Sequence, residues 1–171
     1  DAVGAGNIAS LMFLIAANLD AVNACFISMD PRYPWLTLLN DPATAWANPA
    51  VFGSGTVQSN GQCSIAPASA TRTVSGNQVT VSLPIVFNAP FTGVKNLWVY
   101  AQNTQGLMTG WINKGNWTPT FTTGSTGTMA LDTTHPRTTI DDLTGLTVAV
   151  PTSATPPASL NLSTASTDSP E

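Results

Sequence analysis

Residues 79–87 read Val-Thr-Val-Ser-Leu-Pro-Ile-Val-Phe, with Val79, Val81, Leu83, Ile85 and Phe87 alternating with smaller groups. A period of two puts these five side chains on one face of a β-strand, and a helix would scatter them. The surrounding block, Cys63–Trp117, continues the pattern. A second run, Leu97–Thr104, carries Trp98 and Tyr100; Gln105-Gly106 makes a turn, and Trp111–Thr118 closes a hairpin. Short strands between turn signals predict an antiparallel two-sheet sandwich, not an α/β fold. Pro84 cannot donate to a ladder, so it predicts an edge position or a bulge for its strand.

Upstream, Ile8–Leu19 is the one long apolar run, and its lack of simple alternation predicts a strand buried on both faces. It is shorter than the roughly 20 residues that cross a bilayer. It has no cationic flank, so it does not read as an intact signal peptide. The start at Asp1 without Met fits a processed or truncated product. Further strands are expected over Val22–Met29, Trp35–Leu39, Val51–Val57 and Gln62–Ile65. Turns are expected at Asp30–Pro34, at Asn40-Asp41-Pro42 and, as a hairpin, at Asn60-Gly61.

After about Thr118 the composition shifts to Thr, Ser and Pro. Two pieces still alternate, Leu146–Val150 and Ser159–Ser163. This divides the chain into a sandwich over residues 1–120 and a strand-bearing extension over 121–171.

Charged residues are 8% of the chain, against about 25% in ordinary soluble domains. The surface is therefore built of hydroxyl and amide groups, which repel other copies weakly and favour self-association. The net charge of −4 and the absence of a basic cluster exclude nucleic-acid binding and polybasic membrane docking. Cys25 and Cys63 are too few for a metal cluster and form no Cys-x-x-Cys. They read as one disulfide between strands, which implies an extracytoplasmic setting; the alternative is two buried thiols.

Several elements together resemble a bacterial immunoglobulin-like module of large secreted and surface proteins. They are Asn23-Ala24-Cys25, Leu38–Asp41 with Trp46 downstream, Gly53–Val57, Gln62–Ile65, Phe87–Phe91, Gly93–Tyr100, Gly110-Trp111 and Gly115–Trp117. The resemblance covers roughly residues 1–120. It implies an immunoglobulin-like β-sandwich, an extracellular or cell-surface location, and a structural or adhesive role without catalytic residues. Two departures stand out. Such a module would carry a further strand ahead of Asp1, and the extension follows where the module would end. A sandwich short of one strand, with spare strands in its tail, suggests exchange between copies by β-strand addition. Leu146, Val148, Val150, Leu160 and Leu162 would be the donor residues. A tail folded onto its own domain and a tail acting as linker are the alternatives.

Catalytic chemistry is sparse. His135 is the one histidine and lies in a Thr/Pro-rich stretch; the one Glu is Glu171, so a pair of Glu carboxylates is excluded and no Gly-x-Ser-x-Gly elbow accompanies the histidine. Loop oxygens of Asp20, Asp30, Asn40, Asp41, Asp141 and Asp142 could serve Ca2+, although turn capping accounts for them equally. No other cofactor is expected. Trp111 and Trp117 are six apart and on a regular strand would share a face, forming a stacking platform for glycans; otherwise they fill the core. Asn116 and Asn161 stand in glycosylation sequons. The expectation is a secreted structural protein whose partners are copies of itself, joined into a filament or surface layer. A carbohydrate- or surface-binding accessory module is the alternative.

Overall fold

The computed structural model describes residues 5–119, 146–149 and 159–165. Among them there is no α-helix, only two 3-10 turns at Ala5–Asn7 and Pro67–Ser69. The strands are β1 (Ile8–Ala16), β2 (Cys25–Met29), β3 (Trp35–Leu38), β4 (Ala50–Val51), β5 (Gln58–Ser59), β6 (Cys63–Ile65), β7 (Thr71–Ser75), β8 (Gln78–Phe87), β9 (Lys95–Asn103), β10 (Ile112–Trp117), β11 (Leu146–Ala149) and β12 (Ser159–Ala165). They form two antiparallel sheets, β10-β9-β1-β2-β3-β4 and β11-β12-β8-β6-β5, with β7 also paired to β8.

Alternation decides what each sheet buries. Leu11, Phe13 and Ile15 of β1, Ile27 of β2, and Leu36 and Leu38 of β3 join Ile65 of β6 and Val79, Val81, Leu83 and Ile85 of β8 in one core. Residues of both sheets share that core, so the fold is an all-β sandwich. The apolar run of β1 is buried on its other face as well, where Leu14 and Ala16 meet Phe26 and Leu39 in a second cluster.

One expected strand is cut short and one unexpected strand appears. The segment Val51–Val57 is strand only at Ala50–Val51. There Gly53 takes φ 81° and donates its N–H to the Pro67 carbonyl, which turns the chain out of the sheet. Conversely, β7 was not expected from sequence. It pairs with β8 from Thr71↔Ser82 to Ser75↔Gln78 around Gly76-Asn77. Its side chains are mostly exposed, so it lacks the apolar alternation that marks a core-facing strand.

Asn60 ties one end of the sandwich together. Its Nδ2 donates to the Ala24 and Leu39 carbonyls, each at 2.9 Å, and its Oδ1 accepts from the Gln62 and Cys63 N–H groups. Next to it, a Cβ on Gly61 would lie 2.6 Å from Asp41 Oδ2, the atom that accepts the Gly61 N–H. Asn60→Ala orphans these backbone groups and is expected to cost roughly 2–3 kcal/mol, measurable by chemical denaturation.

Candidate functional site

The strand β8 is where the two parts of the chain meet. On one side it pairs with β6 (Ile65↔Ile85 to Cys63↔Phe87) and with β7. On the other it pairs with β12 over seven positions, from Ser159↔Pro84 to Ala165↔Gln78. The register sets Leu160 opposite Leu83 and Leu162 opposite Val81, and both β8 residues belong to the core. β11 adds outside β12, with Leu146↔Thr164 and Val148↔Leu162. The alternation at Leu146, Val148, Leu160 and Leu162 thus falls on two strands; Val150 lies outside the described residues.

Pro84 is neither at an edge nor in a bulge within this arrangement. Its carbonyl accepts from the Ala66 N–H at 3.4 Å, so the peptide groups of residue 84 aim at the gap between β6 and β7. The missing N–H therefore falls where the neighbouring chain makes its 3-10 turn at Pro67–Ser69. By alternation, residues 79, 81 and 83 aim their peptide groups at β12. Proline removes no donor from that side. Nor does any charged residue occur in Gln78–Phe87. Among the described residues, the β12-facing edge of β8 therefore carries no charge, and its proline does not block strand addition from that side.

Cys25 on β2 and Cys63 on β6 form a disulfide with Cα atoms 5.7 Å apart. Both are fully buried, and the bond joins the two sheets.

Trp111 and Trp117 do not form one platform. Trp117 is 6% exposed and packs on Phe87, ring centroids 4.7 Å apart, inside the core. Trp111 lies on the opposite face of its sheet against Phe26 and Tyr100. The reason is a β-bulge. Between Asn113↔Trp98 and Asn116↔Asn96, β10 spends three steps where β9 spends two, and the extra residue flips the face of everything beyond it. Gly115, at φ 131°, supplies the backbone conformation. Trp117→Ala is accordingly expected to cost about 3–5 kcal/mol, and Trp111→Ala less than about 2 kcal/mol, as read from denaturation midpoints.

Aromatic groups from distant stretches of the chain meet on the outer face. Trp46 packs edge-on against Phe26 at 5.0 Å, Phe26 meets Trp111 at 5.6 Å, and Trp111 meets Tyr100 at 5.5 Å. Nothing in linear spacing signals this cluster, because its members come from three distant stretches.

The loop acids have structural work. Asp20 caps the Val22 N–H. Asp30 takes Arg32 in paired hydrogen bonds at 2.5–3.1 Å. Burial raises its pKa, but the Arg32 contacts outweigh that and hold the carboxyl below its ordinary value. Asn40 Oδ1 accepts from the Thr44 and Ala45 N–H groups. Among the described residues no three of His, Cys, Asp and Glu come together to hold a metal. Asn116 is exposed on the edge strand β10, and Asn161 sits on β12 opposite Ser82. His135, Asp141 and Asp142 lie outside the described residues. Among the described residues no helix is long and apolar enough to cross a membrane. Comparison with family models, with curated proteins and with solved structures finds no match to this chain.

Proposed function

We propose that this chain is a secreted structural subunit: an immunoglobulin-like sandwich that joins copies of itself into an extracellular filament or surface layer by β-strand exchange. The reading assigns it no catalytic step. The observation that carries it is the β8 edge, seven pairs long, uncharged and not blocked by its proline, closed by a strand that arrives from the distant C-terminal part of the chain. A strand donated by residues 121–171 of one copy makes the same ladder on the β8 of another as on its own.

Reach permits the exchange. Residues 118–145 separate β10 from β11, and 28 extended residues span up to about 90 Å, well beyond the length of a strand such as β1, about 30 Å. Concentration selects the outcome. Closure onto the same copy competes at an effective concentration in the millimolar range, so exchange is favoured where copies are crowded. Donation that passes from each copy to the next does not close on itself and generates a fibre. The disulfide supports the oxidising, extracellular setting, and the scarcity of charge supports close packing of copies.

The test is electron microscopy and light scattering of the full chain across a concentration series. Filaments or oligomers that grow with concentration support the reading; a monomer at every concentration up to the millimolar range contradicts it.

A further inference from the structure

Asn60-Gly61 is the one Asn-Gly pair in the chain. Asparagine before glycine is among the most labile amides in a polypeptide, because no Cβ shields the glycine nitrogen from the carboxamide and the glycine backbone turns freely. Here the fold requires both residues. A Cβ at position 61 would lie 2.6 Å from Asp41 Oδ2, which accepts the Gly61 N–H at 2.8 Å. The Asn60 carboxamide makes four hydrogen bonds, each at 2.9 Å: Nδ2 donates to the Ala24 and Leu39 carbonyls, and Oδ1 accepts from the Gln62 and Cys63 N–H groups. A chemically labile pair is thus built into the end of the sandwich and pinned there.

When such a pair reacts, the Gly61 nitrogen attacks Asn60 Cγ and gives up its proton. The Cγ–Nδ2 bond breaks, and the amide nitrogen leaves with that proton as ammonia. Water then opens the succinimide at either carbonyl, leaving aspartate or isoaspartate at position 60. The attack begins only when Cγ swings onto the Gly61 nitrogen, and the four hydrogen bonds hold the carboxamide on other groups. At the usual net strength of such bonds, this slows the attack about a hundredfold. The same contacts reach the disulfide. Ala24 precedes Cys25, the Cys63 N–H is one of the donors, and the Asn60 N–H donates to the Cys63 carbonyl at 3.0 Å. The Cys25–Cys63 bond therefore ties together the two strands, β2 and β6, whose ends Asn60 bridges.

We infer that Asn60-Gly61 is a self-modification site guarded by the disulfide. A copy with the bond intact keeps its amide; a copy in which the bond has not formed, or has been reduced, converts Asn60 to aspartate or isoaspartate. The change is one-way. Aspartate sets a carboxylate oxygen where Nδ2 donates, so acceptor faces acceptor at the Ala24 and Leu39 carbonyls. Isoaspartate also inserts a methylene into the backbone, within the turn that Gln62 and Cys63 close. Later oxidation of the cysteines restores neither set of contacts. Copies that stay unlocked are thereby removed from the pool that can close this end of the sandwich. The site lies away from the β8 positions that pair with β12, and the inference does not rest on strand exchange.

The experiment incubates the full chain in mildly alkaline buffer, oxidised and with reductant, beside a synthetic peptide of residues 57–65. Peptide mapping by mass spectrometry follows the amide-to-acid mass gain at position 60 and separates aspartate from isoaspartate. The oxidised chain is expected to convert about a hundredfold more slowly than the peptide, and reductant is expected to raise its rate by about tenfold or more. The Asn60→Asp chain, which carries one product, is expected to have its unfolding equilibrium in urea shifted about a hundredfold toward the unfolded chain; failure to fold is the same result at its limit. Conversion in the oxidised chain as fast as in the peptide, or faster, overturns the inference, because the hydrogen bonds then do not restrain the carboxamide. So does a rate that reductant leaves unchanged, or an Asn60→Asp chain as stable as the native one.

Discussion

Deleting Leu146–Glu171 is expected to leave a monomer that no longer assembles at any concentration and melts about 10 °C lower than the full chain. The deletion removes β12 and β11, and with them the seven-position ladder on β8. At a net half kcal/mol or so per ladder hydrogen bond, the loss is about 3–4 kcal/mol. For a domain of this size each kcal/mol moves the melting temperature by roughly 2–4 °C. The exposed edge then presents the peptide groups of Val79, Val81 and Leu83 to solvent. A synthetic peptide spanning residues 157–167 should restore the lost stability in trans, saturating at one peptide per chain. The checks are differential scanning calorimetry and sedimentation velocity. Continued filament growth by the truncated chain would show that the tail is idle in assembly.

Replacing both cysteines, Cys25→Ala with Cys63→Ala, is expected to cost about 4 kcal/mol in the loop-entropy account, from a crosslink at a sequence separation of 38. That is a large share of the 5–15 kcal/mol of a typical domain, and it lowers the melting temperature by roughly 8–16 °C. Position raises the stakes. Cys25 lies on β2 of one sheet and Cys63 on β6 of the other, beside the Asn60 contacts that fix the same end of the sandwich. Alanine is the right replacement because both sites are fully buried, where a serine hydroxyl would need a partner. Reduction of the native chain should reproduce the shift. Unfolding in urea with and without reductant measures it, and an unchanged midpoint would contradict a stabilising role for the bond.

The sandwich was legible because alternation in residues 79–87 and 97–104 survives folding unchanged: each odd residue from Val79 to Ile85 is in the core. The two cysteines and the Asn60-Gly61 hairpin were legible for the same reason, being local or paired features. The faces of Trp111 and Trp117 were not. Their spacing of six implies one side, and a single bulge at Gly115 reverses it; a sequence shows the glycine but not the extra residue in the ladder. The strand β7 was missed because its side chains face solvent and carry no core pattern. Pro84 pointed to an edge, and its carbonyl's contact with Ala66 explains why an interior strand tolerates it. The aromatic cluster depends on contacts between residues 26, 46, 100 and 111, which only the fold brings together.

In the proposed assembly β12 of one copy completes β8 of another. Ser82 and Asn161 are register partners across that ladder, and their alternation makes them a pair without mutual hydrogen bonds, with Cα atoms about 4.5 Å apart, within disulfide range. Two single variants, Ser82→Cys and Asn161→Cys, should therefore be mixed in equal amounts under assembly conditions and oxidised. Strand exchange yields a disulfide-linked heterodimer of the two variants, identified by mass spectrometry at these two positions. If the mixture yields no such link, while the Ser82→Cys/Asn161→Cys double variant closes only within single chains, the strand is not exchanged and the account fails.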